Sequence, residues 1–358
     1  MKSPLKIKKR VLSYVKDNDL NYDGEGEISM SRTVIAGCGV AGATAACSLK
    51  ELLPDEEVVL IEQESCGLYS RIRIPEVLSG KLPEEKLILT SACALEEKGI
   101  KTLFSVKIES LDVKEKKVFY TGGSMSYDRF VFATGAEPSI PPIPGLEPDM
   151  LLRSLEDLHR IEKRLPQVKS GLVIGGGLLG LEIAESLKAN GIQVTVSEIA
   201  DRLLPAILNE KESVWLKQYL TELGLNIVTS GKVEKVKASD GEYLVVLNGK
   251  TETFGIVLVS AGIVPNTEIA RTAGIHVERG ICVNHRFETS AKDVFAIGDC
   301  AQLDGKVYGL WMASKGQGSA LAAILAGKSD SYTAPVFSPV PKLPGITLKI
   351  LKEKAAEV

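Results

Sequence analysis

The stretch 33–42, TVIAGCGVAG, decides the fold of this chain. It is a short apolar run followed by Gly37-x-Gly39-x-x-Gly42 and by a helical segment of small residues. The next apolar run ends at Glu62, 20 residues past Gly42. In such a loop the first glycine allows a tight turn, the second lets the backbone approach a pyrophosphate, and the third lets helix and strand pack closely. The stretch therefore predicts a dinucleotide-binding unit in which Glu62 accepts hydrogen bonds from a ribose.

A second unit repeats the pattern 138 residues further on, where Gly175-x-Gly177-x-x-Gly180 follows the run GLVIG. Glu198 closes the strand after it. A carboxylate there favours NAD(H), because it repels a 2′-phosphate. Arg202, four residues later, leaves NADP(H) as the less favoured alternative. Two loops in one chain predict two dinucleotides, a tightly held FAD and an exchangeable NAD(H).

Composition excludes several classes of function. The chain has 358 residues, 44% apolar residues and a net charge of −3, so nothing attracts it generally to nucleic acid or anionic lipid. No apolar run reaches the ~18 residues of a membrane span, and no signal peptide is visible. None of the six cysteines forms CxxC or CxxxxC, so a redox dithiol and a metal site are not predicted. We expect a cytoplasmic protein; the oligomeric state stays open.

Changes in composition predict the domain boundaries. Residues 1–32 form an N-terminal extension whose acidic part resembles a calcium loop, but Arg32 stands where the final Glu should be. An FAD domain is predicted to be discontinuous, at 33–147 plus 265–330. An NAD(P) domain is predicted at 148–264, and 331–358 is a short tail. The fold class is α/β, with two Rossmann-like three-layer domains.

Eight sequence motifs, in a fixed order, resemble those of a known family. In order they are GCGVAG, YSRIRIPEVLSG, YDRFVFATG, GGGLLGLEIAESL, DRLLP, SAGIVPN, DVFAIGDCA and LWMASKGQGSALA. Over roughly 33–350 the chain resembles the pyridine nucleotide–disulfide oxidoreductase superfamily, and is most similar to NADH–rubredoxin reductases and to the flavoprotein part of nitrite reductase large subunits. The resemblance implies the glutathione-reductase-like FAD/NAD(P) fold. It also implies a third, C-terminal domain, for which 331–358 is a remnant or a start.

The resemblance assigns further residues to FAD. Thr134-Gly135 lies where the chain passes close to the flavin. Gly298-Asp299 matches the second flavin motif, in which the Asp binds a ribityl hydroxyl. Ile108 falls where the family uses a backbone contact to the adenine. A helix beginning near Ala313 would point its positive end at the flavin.

For the nicotinamide side, the resemblance implies that Glu182 lies near the nicotinamide and the flavin N5. A basic residue of an earlier loop, Arg71 or Arg73, is expected to pair with it. Arg71 is also expected to approach the flavin or its phosphates. Gly262 is expected to pack against the nicotinamide cofactor.

The reaction implied is hydride transfer from NADH to FAD, then electron transfer to an acceptor. Because no dithiol is present, a small redox metalloprotein such as rubredoxin is the expected acceptor. One alternative is a single-cysteine NADH oxidase, peroxidase or coenzyme A disulfide reductase that uses Cys66. Another is a non-catalytic, flavin-bearing interaction subunit, although such a protein would be expected to lose the second glycine loop.

Overall fold

The computed structural model describes residues 31–337, 339 and 342–346, so nearly all of the predicted N-terminal extension, its calcium-like loop included, lies outside the described residues. Within them the chain divides into two compact units. Unit 1 comprises 31–68, 90–135 and 266–333; unit 2 comprises 69–89, 136–265 and the described residues after 333. Segment 69–89 thus groups with unit 2, whereas the sequence assigned it to the FAD domain. The domain boundaries stay a prediction.

The elements follow in chain order. The strands are β1 (Arg32–Ala36), β2 (Glu57–Glu62), β3 (Leu68–Tyr69), β4 (Ile88–Thr90), β5 (Lys101–Phe104), β6 (Ile108–Asp112), β7 (Lys117–Tyr120), β8 (Gly123–Ser126), β9 (Arg129–Phe132), β10 (Ala136–Pro138), β11 (Ser170–Ile174), β12 (Gln193–Glu198), β13 (Asn226–Thr229), β14 (Val233–Ser239), β15 (Glu242–Leu247), β16 (Lys250–Phe254), β17 (Ile256–Val259), β18 (Ile263–Pro265), β19 (Ile281–Val283), β20 (Val294–Ala296) and β21 (Ala301–Leu303). The α-helices are α1 (Val40–Leu52), α2 (Ile74–Leu78), α3 (Ala92–Glu97), α4 (Leu155–Arg164), α5 (Leu178–Ala189), α6 (Glu210–Glu222), α7 (Glu268–Thr272) and α8 (Trp311–Leu325). Short 3₁₀ turns occupy Arg71–Arg73, Glu84–Lys86, Pro148–Met150, Leu165–Gln167 and Gly298–Cys300.

Unit 1 is built on a five-stranded parallel sheet with the strand order β20-β9-β1-β2-β5. Ala36, at the end of β1, lies between Ile61 on one neighbour and Phe132 on the other. The strands are nearly continuous apolar runs because both faces of a parallel sheet are covered. The strand order reverses beside β1, which is where open α/β sheets form a ligand crevice. An antiparallel sheet, β6-β7-β8, completes this unit together with the short pair β19-β21.

Small residues in α1 allow another helix to pack very closely on it. Gly318 of α8 approaches so near that a Cβ there would lie 2.4 Å from the carbonyl oxygen of Ala41. Ala41, Ala45 and Ala46 are buried on α1. The run of alanines in α1 is therefore explained by contact with α8, which begins two residues earlier than the predicted Ala313.

Unit 2 repeats the parallel layout, with the strand order β13-β12-β11-β17. Its central strand β11 pairs with β12 on one side and with β17 on the other, as β1 pairs with β2 and β9. The antiparallel sheet β14-β15-β16 packs its buried side chains, Val245 among them, on residues of β11 and β17. The duplication predicted from the two glycine loops is thus present in the strand topology.

Two polar side chains of α5 hold segment 69–89 to unit 2. The Ser186 hydroxyl donates a hydrogen bond of 2.7 Å to the carbonyl of Pro75. The Asn190 side-chain amide donates one of 2.7 Å to the carbonyl of Leu78. Because both acceptors belong to α2, these bonds give a physical reason why this segment groups with α5.

Candidate dinucleotide sites

The first glycine loop of unit 1 has the conformation that the sequence predicts. Gly37 has φ of +112°, and a Cβ there would lie 2.3 Å from the carbonyl oxygen of Ala133. A Cβ on Gly42 would lie 2.0 Å from the carbonyl oxygen of Gly37. By contrast, a Cβ on Gly39 would meet nothing within 4 Å. The outer glycines are therefore required by packing, whereas the space above the middle one is open to a ligand.

Glu62 is tied to this loop by its carboxylate. One oxygen accepts a 2.6 Å hydrogen bond from the Cys38 backbone N–H, and the other accepts a 3.0 Å bond from Glu64. The side chain is buried, at 8% exposure. Helix α1 begins at the same place with no side-chain cap and no acidic residue in its first turn. Its first N–H groups are thus available to an anion such as a pyrophosphate.

The residues assigned to FAD follow the carboxyl ends of neighbouring strands of the unit 1 sheet. The glycine loop follows β1, Glu62 ends β2, Thr134 follows β9, and Gly298 follows β20. Since these strands are parallel and adjacent, their carboxyl ends lie at one edge of the sheet. Ligands of open α/β sheets bind at that edge.

Asn266, to which no sequence motif assigns a role, fixes the turn after β9. The Asn266 side-chain amide donates a 2.8 Å hydrogen bond to the carbonyl of Thr134, and its backbone N–H donates one of 3.0 Å to Gly135. The Thr134 hydroxyl in turn donates to the Asn266 carbonyl at 3.0 Å. Gly135 has φ of +66°, a conformation that favours glycine. Asn266 closes the motif SAGIVPN, and that motif was the signal that could have identified it.

Asp299 is held in a sharp turn by residues of α8. Gly298 has φ of +77°, and its N–H donates a 2.6 Å hydrogen bond to the buried side chain of Gln317. The Ser314 hydroxyl donates to the Asp299 carboxylate at 3.0 Å. Both polar partners lie in the sequence LWMASKGQGSALA, and neither was predicted.

Ile108 is placed with its side chain in the core rather than at the sheet edge. It is 8% exposed, belongs to the apolar cluster of unit 1, and pairs across β6 and β7 with Tyr120. Val106, two residues earlier, donates its N–H to the carbonyl of Glu62 at 3.0 Å. The predicted backbone contact of Ile108 to the adenine stays a prediction, and Val106 is bonded directly to the backbone of Glu62.

Unit 2 repeats the first loop almost bond for bond. Gly175 has φ of +115°, and a Cβ there would lie 2.2 Å from the Ser260 carbonyl oxygen. A Cβ on Gly180 would lie 2.0 Å from the carbonyl oxygen of Gly175, and one on Gly177 would meet nothing. Glu198 accepts hydrogen bonds from the backbone N–H groups of residues 176 and 200, at 2.7 and 2.8 Å. Both units therefore present the same open space beside an oriented carboxylate.

Two further residues of unit 2 were predicted to affect the nicotinamide cofactor, Gly262 by packing against it and Arg202 by leaving NADP(H) as the less favoured alternative. Gly262 has φ of +98°, and a Cβ there would meet nothing within 4 Å. Its carbonyl accepts a 2.9 Å hydrogen bond from Ser139, so the backbone is fixed while the space beside it stays open. Arg202 makes a 3.2 Å ion pair with Asp201, and its Nε is buried without a hydrogen-bond partner among the described residues.

Glu182 is bonded to the C-terminal segment of unit 2. The Lys342 backbone N–H donates to its carboxylate at 2.8 Å, and the Lys342 ammonium lies 3.0 Å from the carbonyl of Ile72 and 3.5 Å from Glu76. Desolvation by burial raises the pKa of the Glu182 carboxyl. The bond and charge of Lys342 oppose this shift, and the charge of Glu76 adds to it.

The two arginines expected near Glu182 have other partners. Arg73 pairs with Glu76 at 2.8 Å. The Arg71 guanidinium lies over the ring of Tyr69, 4.5 Å from its centroid, and is bonded to that residue's hydroxyl. It also lies 3.4 Å from the carbonyl of Arg153. The approach of Arg71 to a flavin stays a prediction.

Cys66 is half-buried in the bend between β2 and β3. Gly67 after it is required by packing, since a Cβ there would lie 2.2 Å from the carbonyl oxygen of Thr90. Cys300 is buried and donates to the carbonyl of Ile297 at 3.2 Å, and burial raises the pKa of its thiol. Packing therefore explains why a glycine follows Cys66. A redox role for Cys66 stays a prediction.

Comparison with known proteins identifies one family over most of both units. The profile described as "Pyridine nucleotide-disulphide oxidoreductase" matches residues 31–318. The nitrite reductase [NAD(P)H] large subunit of Klebsiella oxytoca is 34% identical over 321 residues, which are 87% of this chain and 33% of that protein. The rubredoxin-NAD(+) reductase of Acinetobacter baylyi is 33% identical over 334 residues, which are 90% of this chain and 85% of the relative.

A solved structure with the same fold is that of a NAD-dependent persulfide reductase from A. fulgidus. It superposes with a TM-score of 0.83 at 28% identity, over 91% of this chain and 65% of that one. The matches confirm the predicted superfamily, fold class and cofactors, FAD and a pyridine nucleotide. No α-helix in the described part of the chain is long and apolar enough to span a bilayer.

Proposed function

The chain belongs to the pyridine nucleotide-disulphide oxidoreductase family, and on that premise we propose that it is an FAD-dependent NADH oxidoreductase that delivers electrons to a small redox metalloprotein. The observation that carries the proposal is the duplicated loop. In each unit the middle glycine faces open space and a carboxylate is bonded to the loop backbone. Two loops with the same geometry suit the binding of two dinucleotides, one in each unit.

In unit 1 the chain's own groups would hold FAD. The N–H groups at the start of α1 would bind the pyrophosphate, Glu62 the adenosine ribose, and Asp299 a ribityl hydroxyl. Thr134 and Gly135, fixed by Asn266, would shape the backbone beside the ring system. FAD, when bound, supplies the chemistry that joins a two-electron donor to a one-electron acceptor.

In unit 2 the loop and Glu198 would hold NADH. Because Glu198 is already oriented by two backbone N–H groups, it presents a fixed negative charge where the ribose would lie. A 2′-phosphate would be repelled there. Arg202 opposes this preference, but Asp201 neutralises part of its charge.

The choice of a metalloprotein acceptor is supported by the cysteine pattern and by a relative. The sequence contains no CxxC or CxxxxC pair that could take two electrons as a disulfide. The A. baylyi relative is named for rubredoxin, which takes electrons singly through its iron. Delivery to rubredoxin or a protein like it is therefore the favoured second half-reaction.

A steady-state assay tests the acceptor. FAD-loaded protein is mixed with NADH and, in parallel, rubredoxin, a [2Fe–2S] ferredoxin, a low-molecular-weight disulfide or air-saturated buffer. The proposal predicts NADH oxidation that is coupled one-to-two to rubredoxin reduction and is faster than with the disulfide or oxygen. Turnover confined to the disulfide or to oxygen would contradict it.

A sulfur-directed function is the second candidate. Cys66 is half-buried rather than fully enclosed, and the A. fulgidus relative is named for a persulfide substrate. Cys66→Ser distinguishes the two, with Cys93→Ser, at an exposed cysteine, as the control. We expect rubredoxin reduction to be unchanged in both variants. Loss of turnover in Cys66→Ser alone would favour the cysteine mechanism.

A further inference from the structure

A tight hairpin in unit 1 brings together three residues that no motif joins. Val277 and Ile281 form an antiparallel bridge. The N–H of Cys282 donates to the carbonyl of His276 at 3.1 Å, and that of Glu278 donates to Gly280 at 3.1 Å. Side chains two apart on a strand share a face, and residues opposite each other across a pair also do so. His276, Glu278 and Cys282 therefore project from the same face of the hairpin.

The distances between their donor atoms suit one cation. The imidazole, carboxylate and thiol atoms all lie within 4.8 Å of one another, and the His276 Nε2 lies 3.8 Å from a Glu278 oxygen. Tetrahedral zinc, with bonds of about 2.0–2.3 Å, sets its ligand atoms roughly 3.3–3.8 Å apart. His276 is exposed and Cys282 is partly exposed, so side-chain rotations that move their donor atoms by about 1 Å close the set.

Gln302 supports the hairpin from beneath. Its side-chain oxygen accepts hydrogen bonds of 3.0 Å from the backbone N–H groups of Arg279 and Gly280. Its amide nitrogen donates to the second oxygen of Glu278. Gln302 is 5% exposed, so it is a fixed group. A hydrogen-bonded second oxygen is the usual means by which a ligating carboxylate is oriented.

We propose that His276, Glu278 and Cys282 form a binding site for a divalent cation of the zinc class, with water in the fourth position. One nitrogen, one oxygen and one sulfur ligand favour zinc over calcium or magnesium, which take oxygen ligands. The carboxylate and thiolate together balance the two positive charges. The site is independent of the two dinucleotide sites, and its test does not depend on their activity.

The thiol is the group by which the site can be followed. A bound cation takes the place of the thiol proton on this sulfur and shields the thiolate from alkylating reagents. Cys93 is exposed and provides an internal reference in the same molecule.

The first test measures protection of Cys282. Untagged, FAD-loaded protein is treated with iodoacetamide, with and without Zn²⁺, and the labelled cysteines are quantified by mass spectrometry. We expect Zn²⁺ to slow labelling of Cys282 at least about tenfold and to leave Cys93 unchanged, with EDTA restoring the rate. Equal slowing of both thiols, or no slowing at Cys282, would overturn the proposal.

The second test uses Zn²⁺ binding by equilibrium dialysis. Cys282→Ser and His276→Ala are expected to weaken binding of one Zn²⁺ per chain at least about tenfold, and Gln302→Ala about 10–100-fold. His159→Ala is the control, because His159 also pairs with a carboxylate, Glu84, at 2.8 Å. Unchanged Zn²⁺ binding in Cys282→Ser and His276→Ala would show an ordinary surface ion pair and would overturn the proposal. Melting curves identify variants that have lost their fold.

Discussion

Glu62 and Glu198 each accept backbone hydrogen bonds on both carboxylate oxygens, one from the preceding glycine loop and one from the residue two positions further on. Such bonds fix the direction of the charge before any ligand arrives, so orientation costs nothing on binding. The same bonds imply that neutralising either residue changes the electrostatics of a site more than its shape. Substitution of Glu198 can therefore be compared directly with the same substitution of Glu62.

Glu198→Gln is predicted to shift cofactor preference toward NADPH. The amide removes the charge that would repel a 2′-phosphate, and Arg202 remains nearby. We expect the ratio of kcat/KM for NADPH to that for NADH to rise at least about tenfold, or about 1.4 kcal/mol.

The control is Glu62→Gln at the equivalent position of unit 1. It is predicted to weaken FAD retention and to leave the NADPH-to-NADH ratio unchanged. An unaltered ratio in Glu198→Gln, or an equal shift in Glu62→Gln, would show that Glu198 does not select the cofactor.

Glu182→Gln is predicted to raise stability at alkaline but not at acidic pH. Desolvation raises the pKa of this carboxyl in the folded state above its unfolded value, which is about 4.3. Below the unfolded pKa the group is neutral in both states and carries no penalty. As pH rises through the folded pKa, the folded protein must ionise a half-buried carboxyl and loses that stability, whereas Gln does not.

Melting temperatures near pH 8 and about pH 4 check this prediction. Glu182→Gln should melt higher than the unmodified protein at the upper pH and equally at the lower one. Glu185→Gln on the same helix removes a 2.8 Å ion pair with Lys81 and should show no gain. The absence of a gain in Glu182→Gln at the upper pH would contradict the burial argument.

At the level of secondary-structure elements, the second glycine loop contains one glycine that is needed for packing, Gly180, and one that faces the proposed ligand space, Gly177. A Cβ on Gly180 would meet the Gly175 carbonyl oxygen, whereas one on Gly177 would enter open space. Gly180→Ala is therefore predicted to lower the free energy of unfolding by about 1–3 kcal/mol. Gly177→Ala should change it by less than about 0.5 kcal/mol and weaken NADH binding about tenfold.

Urea unfolding and NADH titration of both variants check this pair. If Gly177→Ala bound NADH as tightly as the unmodified protein, the space above the loop would not be the nucleotide site. A Gly180→Ala variant of full stability would mean that helix and strand can separate without cost.

Helix α8 offers a second matched pair of glycines. Gly318 lies against α1, where a Cβ would be 2.4 Å from a carbonyl oxygen, while the nearest atom to a Cβ on Gly316 would be 3.7 Å away. Gly318→Ala should destabilise by about 1–3 kcal/mol. Gly316→Ala should be neutral or stabilising by up to about 1 kcal/mol, because alanine is the better helix former. Urea unfolding distinguishes them, and equal effects would contradict the close packing of α1 and α8.

Across the whole molecule, the sequence predicted those features whose geometry is set by residues close together in the chain. The glycine loops, Glu62 and Glu198 were predictable because a strand, a tight turn and a helix impose fixed spacings on the chain. Asn266 was missed because it bonds to residues 134–135, far away in sequence, and Gln317 was missed because no motif relates it to Gly298. No spacing rule connects such residues, and only the strand order brings them together.

The partner of Glu182 was missed for the same reason. Local sequence favoured an arginine of segment 69–89, but Lys342, 160 residues away, makes the bond. Similarly, the hairpin at His276–Cys282 matches no metal motif, and its donor atoms converge only because 277 and 281 pair. The sequence thus predicts the conformation of the glycine loops well, and predicts poorly which residues bond from distant segments.

In the proposed function, one chain binds both cofactors and reduces its FAD with NADH. Anaerobic titration of purified, FAD-loaded protein with NADH, followed by flavin absorbance, tests this reaction. We expect complete bleaching at about one NADH per FAD, since each nicotinamide delivers two electrons, and bleaching by NADPH only at higher concentration. A flavin that stays oxidised in excess NADH and NADPH would contradict the claim and favour a non-catalytic, flavin-bearing subunit.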